Sequence, residues 1–186
     1  MKQELLISPQ SIRNRVKALA AQISSDYSGK EPILVGILNG AVFFLSDLAR
    51  ELTIPVKIDF MRAASYGSQM TSSGTIRITK DVEISVSGKP VLLIEDIVDT
   101  GSTLTCIIEN IKNKGAESVE VCALIDKLER RTKAVPIHYC GFEIEEGFLV
   151  GYGLDYDERF RHLPGIYVLK EVGVPHQIGE YHDHRM

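Results

Sequence analysis

The sequence contains no long uninterrupted run of apolar residues, and this absence limits what the protein can be. The amino-terminal segment MKQELLIS lacks the apolar stretch of a secretory signal peptide, and no later segment is long and apolar enough to cross a bilayer. We therefore expect no membrane association and a location in the cytoplasm.

Cysteine and excess positive charge are also scarce. The three cysteines, Cys106, Cys122 and Cys140, are widely spaced and include no CxxC pair. This pattern favours free thiols in a reducing compartment over disulfides or a zinc site. The net charge is −4, so the chain has no overall positive field to attract nucleic acid. We expect no nucleic-acid partner, and any phosphate binding must be local.

The motifs of two other enzyme classes are absent or incomplete. The pattern G-x-x-x-x-G-K-[ST] does not occur, which argues against a P-loop nucleotide hydrolase. Residues 99–102, DTGS, match the aspartic-protease signature, but that class needs a second copy or a symmetric dimer in an all-β setting. No second D-[ST]-G occurs and a helical pattern follows directly, so we reject the protease interpretation.

The chain has the composition of one globular domain. It has 186 residues, of which 44% are hydrophobic and 25% charged. Strand and helix patterns alternate with short connections, which predicts an α/β fold with a mostly parallel, doubly wound sheet. We expect a single domain, 1–186, with a core at about 30–135 and a small C-terminal cap from about 136 onward. The predicted helices are 9–26, 41–52 and 103–114, the predicted strands are 33–38, 56–63, 76–79, 91–94, 119–125, 138–142, 148–152 and 167–170, and 86–90 is predicted to be a surface loop.

Residues 91–104, VLLIEDIVDTGSTL, carry the strongest functional signal. A short apolar strand is followed by Glu95 and Asp96, then by Asp99 and by a loop of small hydroxyl residues at 100–103 that begins a helix. Backbone N–H groups at a helix start favour a phosphate. The acid pair suits hydroxyl groups or a metal ion, so the combination indicates a phosphorylated sugar.

Residues 65–75, SYGSQMTSSGT, form a polar stretch with little that can pack. We expect a mobile loop on a hairpin. Composition alone leaves two interpretations open, a polar linker and a lid over an active site.

These motifs resemble the type I phosphoribosyltransferases, and specifically the hypoxanthine (hypoxanthine-guanine) phosphoribosyltransferase family. Residues 91–104 match the superfamily's phosphoribosyl-pyrophosphate motif. Ser65-Tyr66, the segment ALIDK at 123–127 and the segment from 141 to 161 match the purine-salvage branch. The resemblance covers roughly residues 33–169 and implies the type I phosphoribosyltransferase fold.

The resemblance also implies an activity. It is the Mg²⁺-dependent transfer of a 5-phosphoribosyl group from phosphoribosyl pyrophosphate to N9 of hypoxanthine and/or guanine. The products are IMP or GMP and pyrophosphate, in purine salvage. Cleavage at C1 of the ribose gives a cation-like ring, as in glycoside chemistry, so the protein must neutralise the leaving group and exclude water. Relatives suggest a homodimer or homotetramer.

The resemblance assigns one set of residues to the sugar and its phosphates. Glu95 and Asp96 are expected to bind the ribose hydroxyls, directly or through Mg²⁺, although adjacent side chains on an ideal strand face opposite ways. Arg161 matches a pyrophosphate contact, with Arg159 as the competing candidate. The 5′-phosphate loop comprises Asp99, Thr100, Gly101, Ser102 and Thr103, the pyrophosphate loop comprises Leu38, Asn39 and Gly40, and the closing residues are Ser65 and Tyr66. Many relatives have Lys at the position of Asn39.

A second set is assigned to the base. Asp99 matches the general base near N7, with helix capping as the alternative. Lys127 matches the donor to O6, although a solvated lysine is the simpler interpretation from the residues alone. Phe148 is expected to stack on the base, or else to lie in the core, with Leu149 and Val150 beside it. Asp155 matches a residue that reaches a second Mg²⁺ or the purine, although its context also fits a surface turn.

Two alternatives within the same fold remain at this stage. The first is a regulator that senses phosphoribosyl pyrophosphate and binds nucleic acid, for which Arg130, Arg131 and Lys133 form a small basic cluster. The second is a phosphoribosyltransferase for adenine or orotate. The matches at Lys127 and at 148–155 favour an oxopurine instead.

Overall fold

The computed structural model describes residues 2–66 and 75–170. Within these ranges the chain forms helices and strands close to those predicted. The helices are α1 (Pro9–Asp26), α2 (Val42–Glu51) and α3 (Ser102–Asn113), and the strands are β1 (Lys2–Ile7), β2 (Ile33–Ile37), β3 (Lys57–Tyr66), β4 (Thr75–Lys80), β5 (Pro90–Val98), β6 (Ser118–Lys127), β7 (Tyr139–Ile144), β8 (Leu149–Val150) and β9 (Ile166–Lys170).

The main sheet has six strands in the order β4-β3-β2-β5-β6-β7. All neighbouring pairs are parallel except β3 and β4, which form an antiparallel hairpin. The mostly parallel sheet predicted from the sequence is confirmed. Because the strands are parallel, β2, β5 and β6 end at the same edge, where a ligand can reach all three.

Helices cover both faces of this sheet. Alternate residues of β5 divide between two apolar clusters: Leu92 and Ile94 pack with α1 and α2, whereas Val91 and Leu93 pack with α3. Burial on both faces explains the continuous apolar run of this strand. Helix α1 begins as predicted, with the hydroxyl of Ser8 accepting a hydrogen bond from the Ser11 N–H at 3.1 Å.

A second sheet with the order β1-β9-β8 forms the cap. The sequence did not predict β1, because only Ile7 of this strand is buried and its polar residues carry no strand pattern. Pairing with β9 creates the strand. The predicted boundary of the cap at about residue 136 is wrong for β7, which extends the main sheet, and the cap draws on both ends of the described chain.

One predicted loop also differs. Residues 86–90 were expected on the surface, but Val86 is buried among the side chains that pack on α3 and Pro90 begins β5.

Two further observations concern the cysteines and the helices. Cys106, Cys122 and Cys140 are free thiols. None of the helices in the described ranges has the length and hydropathy needed to cross a membrane.

Candidate active site

Strand β5 continues to Val98, four residues beyond its predicted end. Glu95 and Asp96 therefore lie inside the strand, where adjacent side chains start towards opposite faces of the sheet. Glu95 lines one cavity of about 200 Å³. Asp96 lines a second cavity of about 200 Å³. The sequence-based expectation that the strand ends before these acids is wrong, but the two carboxyl groups still lie within hydrogen-bonding reach of each other.

The first cavity is built around the turn from β5 into α3. Gly101 is the residue before the helix and adopts a left-handed conformation with φ of 82°. A Cβ atom at this position would lie 2.6 Å from the carbonyl oxygen of Lys133. The helix-capping alternative for Asp99 is wrong, since Gly101 occupies the cap position and no side chain caps the helix.

This turn has the features of an anion site. The N–H groups of Gly101, Thr103 and Leu104 donate no hydrogen bond to any other described residue, and all three residues line the cavity. Ser102 differs, because its N–H is bound by the Thr100 hydroxyl at 3.3 Å. Unpaired N–H groups at the positive end of a helix attract a phosphate.

The loop between β2 and α2 approaches the same edge of the sheet. The peptide bond between Leu38 and Asn39 is cis, and the N–H groups of Asn39 and Gly40 have no acceptor among the described residues. Gly40 packs closely against Asp96 on one side and Gly153 on the other, so neither glycine has room for a side chain. A Cβ atom on it would lie 1.6 Å from Oδ2 of Asp96, and one on Gly153 would lie 2.0 Å from the carbonyl oxygen of Gly40.

The second cavity carries the predicted base-binding side chains. Lys127 is only 8% exposed, and its Nζ atom pairs with Oε2 of Glu129 at 3.0 Å, so it is not a freely solvated lysine. Phe148 is 51% exposed and packs edge-on against Tyr156 with ring centroids 5.4 Å apart, so it is not a core residue. The described lining includes Asp96, Ile97, Asp99, Lys127, Arg130, Gly147, Phe148, Leu149, Leu154 and Asp155.

Two predicted residues beside the base have different positions. Leu149 lines this cavity. Val150 is buried in β8 and does not line it. The contact proposed near Val150 involves a main-chain carbonyl, so its place beside a base stays a prediction.

Asp99 lines both cavities. Its Oδ1 atom is buried without a hydrogen-bond partner among the described residues. Its Oδ2 atom lies 3.5 Å from the guanidinium of Arg130. A carboxylate with one unsatisfied oxygen at the junction of two cavities is placed to accept a proton from a ligand that joins them.

Arg161 and Asp155 bind each other. A guanidinium nitrogen of Arg161 lies 2.8 Å from Oδ1 of Asp155, and Arg161 also donates to the carbonyl of Gly153 at 2.8 Å. Oδ2 of Asp155 accepts the N–H of Glu158 at 3.0 Å. The solvated-surface alternative for Arg161 is therefore wrong, whereas the competing Arg159 is exposed.

Comparison with known proteins shows the family to which the chain belongs. The phosphoribosyl transferase domain family matches residues 3–157. The hypoxanthine-guanine phosphoribosyltransferase of Bacillus subtilis is 41% identical over 90% of this chain and 93% of its own length. The hypoxanthine phosphoribosyltransferase of Salmonella typhimurium is 43% identical over 91% of this chain and 95% of its own length. The chain belongs to the hypoxanthine phosphoribosyltransferase family of enzymes.

Solved structures of this family share the fold. A hypoxanthine phosphoribosyltransferase from Staphylococcus aureus superimposes with a TM-score of 0.86 at 42% identity, over 90% of this chain and 91% of its own. A hypoxanthine-guanine phosphoribosyltransferase from Bacillus anthracis, crystallised with HEPES in its active site, gives a TM-score of 0.85 at 37% identity, over 90% and 98%. The type I phosphoribosyltransferase fold is thereby confirmed.

The acid pair of this phosphoribosyltransferase is electrostatically unusual. Burial raises the pKa of the Glu95 carboxyl group well above its ordinary value, and the negative charge of Asp96 raises it further. Burial also raises the pKa of Asp96. Two buried carboxyl groups that resist ionisation together favour a cation or a donor ligand beside them.

Glu129 and Arg131 have positions that the sequence did not predict. Glu129 carries the partner carboxylate of Lys127, and the only available signal was its position two residues further along the chain. Arg131 was assigned to a basic surface cluster, but its side chain is 18% exposed and pairs with Asp126. This inward orientation weakens the case for a nucleic-acid-binding face.

The predicted closing segment is only partly described. The backbone of Ser65 and Tyr66 belongs to β3 and pairs with Ile76 and Thr75 of β4, which confirms the hairpin. Residues 67–74, which carry most of the predicted loop, lie outside the described residues, so the choice between a linker and a lid stays a prediction.

Proposed function

We propose that this enzyme transfers the 5-phosphoribosyl group of phosphoribosyl pyrophosphate to N9 of hypoxanthine and/or guanine, giving IMP or GMP and pyrophosphate, and so serves purine salvage. The observation that carries the proposal is the position of Asp99. This residue lies between a cavity with unpaired helix-start N–H groups and a cavity that contains Lys127 and Phe148. A phosphorylated ribose joined through C1 to N9 of a purine would fill both cavities, with the new bond near Asp99.

Each cavity supplies a different part of the reaction. The N–H groups of Gly101, Thr103 and Leu104 hold the 5′-phosphate, and those of Asn39 and Gly40 face the pyrophosphate. The bond between C1 and the pyrophosphate oxygen breaks, and its electron pair leaves with the pyrophosphate. The lone pair of N9 forms the new bond to C1, and Asp99 accepts the proton that N7 gives up.

The base cavity determines which purine reacts. Lys127 donates a charge-assisted hydrogen bond to O6 of the purine. The exposed ring of Phe148 stacks on one face of the purine. An adenine has an amino donor at the same position and would face the Lys127 ammonium with the wrong polarity. The lysine therefore favours 6-oxopurines. Closure of the segment that begins at Ser65 and Tyr66 shields the cation-like ring from water.

The residues present fit Mg²⁺ as the cofactor. Glu95 and Asp96 are adjacent carboxyl groups whose pKa values are raised by burial, and carboxylate oxygens are the ligands that Mg²⁺ prefers. Asp155 is a further candidate ligand. Bound Mg²⁺ would neutralise negative charge on the pyrophosphate. Arg161 supplies a second cationic group for the leaving pyrophosphate.

Location and assembly follow from the same proposal. Phosphoribosyl pyrophosphate and the nucleotide products are multiply charged and do not cross lipid unaided, so we place the enzyme in the cytoplasm, with no membrane or nucleic-acid partner. We also propose a homodimer or homotetramer. In the similar hypoxanthine phosphoribosyltransferase of Trypanosoma cruzi, the C-terminal region has a role in the oligomeric state, which makes assembly a relevant property to measure for this chain.

The decisive experiment is incubation with phosphoribosyl pyrophosphate, Mg²⁺ and each base in turn, with the nucleotide detected by its absorbance. We expect product with hypoxanthine or guanine, little with adenine, and none after EDTA is added. Nucleotide formation only with adenine or orotate would overturn the base assignment. Full activity in excess EDTA would contradict the Mg²⁺ assignment, and salt-sensitive nucleic-acid binding without any turnover would favour the regulator.

A further inference from the structure

The side chain of Arg131 contacts the phosphate loop from the side opposite the ligand. Its guanidinium donates to the carbonyl oxygens of Val98 and Asp99, each at 2.8 Å. The same group forms an ion pair with the carboxylate of Asp126 and donates to the carbonyl of Lys127 at 3.2 Å. Arg131 thus connects the end of β5 to the end of β6.

The two residues after Arg131 bind the next carbonyl of the loop. The Thr100 carbonyl accepts the backbone N–H groups of Thr132 at 3.1 Å and Lys133 at 3.0 Å, and the hydroxyl of Thr132 donates to it at 3.2 Å. Three consecutive carbonyls, those of residues 98–100, are therefore bound by one short segment.

Binding these carbonyls fixes the N–H groups of the loop. A peptide unit is planar and, when trans, its C=O and the following N–H point in opposite directions. The bound carbonyls of residues 98–100 therefore direct the N–H groups of residues 99–101 away from Arg131. None of those three N–H groups donates to another described residue, and Asp99, Thr100 and Gly101 all line the first cavity.

We propose that Arg131 is a positioning residue that holds the 5′-phosphate loop in its anion-binding conformation. Because the proposal rests on the function proposed above, it deepens the account of the same site. Arg131 touches no substrate. It acts through the peptide units of the loop, and its anchoring to Asp126 beside Lys127 links the loop to the base cavity. Preorganised donors lose no free energy in reorienting when the phosphate arrives.

Arginine suits this role better than lysine. The planar guanidinium presents its donors in a fixed fork, so one side chain can bind the Val98 and Asp99 carbonyls and the Asp126 carboxylate together. A lysine ammonium at the end of a flexible stem retains the charge but does not hold the same three acceptors in one plane. Arg131→Lys therefore isolates the geometry of the contact from its charge.

The test compares Arg131→Lys with Arg15→Lys. Arg15 is a matched control because its guanidinium also donates to two carbonyls, those of Gly141 and Cys140, at the outer strand β7. We expect Arg131→Lys to weaken ribose 5-phosphate binding, measured by calorimetry, by about 10- to 100-fold, and to raise KM for phosphoribosyl pyrophosphate similarly. KM for hypoxanthine should change by less than about 3-fold, and Arg15→Lys should leave all three values unchanged.

Several outcomes would overturn the positioning role. They are an unchanged ribose 5-phosphate Kd in Arg131→Lys, equal losses for both substrates, or the same losses in Arg15→Lys. If Arg131→Lys does not fold, Asp126→Asn replaces it. That variant keeps the carbonyl contacts but loses the charged anchor, and an unchanged Kd there also refutes the role. Ribose 5-phosphate binding needs no turnover, so wild-type protein that binds it but makes no nucleotide would refute the proposed function and not this inference.

Discussion

Arg161 and Asp155 form an ion pair with each other at 2.8 Å. The family resemblance assigns these two residues to different parts of the substrate complex. Oδ2 of Asp155 is also occupied, by the N–H of Glu158. A pyrophosphate that binds the guanidinium has to compete with the Asp155 carboxylate. If the pyrophosphate group of the substrate displaces Asp155 from Arg161, an oxygen of Asp155 becomes free to bind a metal ion when the substrate binds.

Arg161→Gln tests the pyrophosphate contact. We expect KM for phosphoribosyl pyrophosphate to rise by about 10-fold or more, because a charge-assisted hydrogen bond to phosphate contributes about 1.5–3 kcal/mol. The Kd of ribose 5-phosphate, which has no pyrophosphate, should stay the same. Arg159→Gln is the control and should change neither value. Equal weakening of both ligands would show that Arg161 only supports the fold of the cap.

Asp99→Asn tests the proton acceptor. The amide has nearly the same shape as the carboxylate but cannot take a proton from N7, so we expect kcat to fall by about 10²- to 10⁴-fold. The Kd of phosphoribosyl pyrophosphate, measured by calorimetry, should change little. Losses of similar size in turnover and binding would leave Asp99 with a structural role.

Lys127→Ala tests the purine contact. Loss of the donor to O6 should raise KM for hypoxanthine by about 10- to 100-fold, in line with a hydrogen bond from a charged group. The Kd of phosphoribosyl pyrophosphate should stay near the wild-type value. Glu129→Gln is a useful companion, because it weakens the ion pair with Lys127 but keeps the ammonium in the cavity. Unchanged purine kinetics in Lys127→Ala would remove this residue from the site.

Glu95→Gln tests the buried acid pair through stability. Because the folded-state pKa of Glu95 is raised above its ordinary value of 4.5, its contribution to stability is present at acidic pH. This contribution is lost as the pH rises through the folded-state pKa. At pH values above that pKa, we expect Glu95→Gln to increase the unfolding free energy of the metal-free protein by about 1 kcal/mol, and therefore to raise its Tm. The same variant should impair catalysis.

Thermal unfolding over a pH series, without divalent cations, measures this effect. The exposed Glu109 on α3 supplies the control, and Glu109→Gln should leave the pH dependence of the Tm unchanged. A Glu95→Gln variant that is less stable than wild type at every pH would show that the carboxylate already has a compensating partner in the folded protein.

The sequence alone determined those features that depend on neighbouring residues. The strand, acid pair, glycine turn and helix at 91–104 follow one another in the chain, so their order and the helix-start N–H groups could be inferred from local pattern. The alternation of strand and helix patterns with short connections also predicted the parallel sheet, since a parallel strand pair needs a crossover that a helix supplies.

Only the tertiary structure decided which side chains meet. The extension of β5 to Val98 depends on its ladder with β6, and this extension sends Glu95 and Asp96 into different cavities. Strand β1 exists because β9 pairs with it, and the inward turn of Arg131 depends on carbonyls more than thirty residues away. Local propensity carries no information about such distant partners, whereas burial and hydrogen-bond satisfaction in the folded chain fix them.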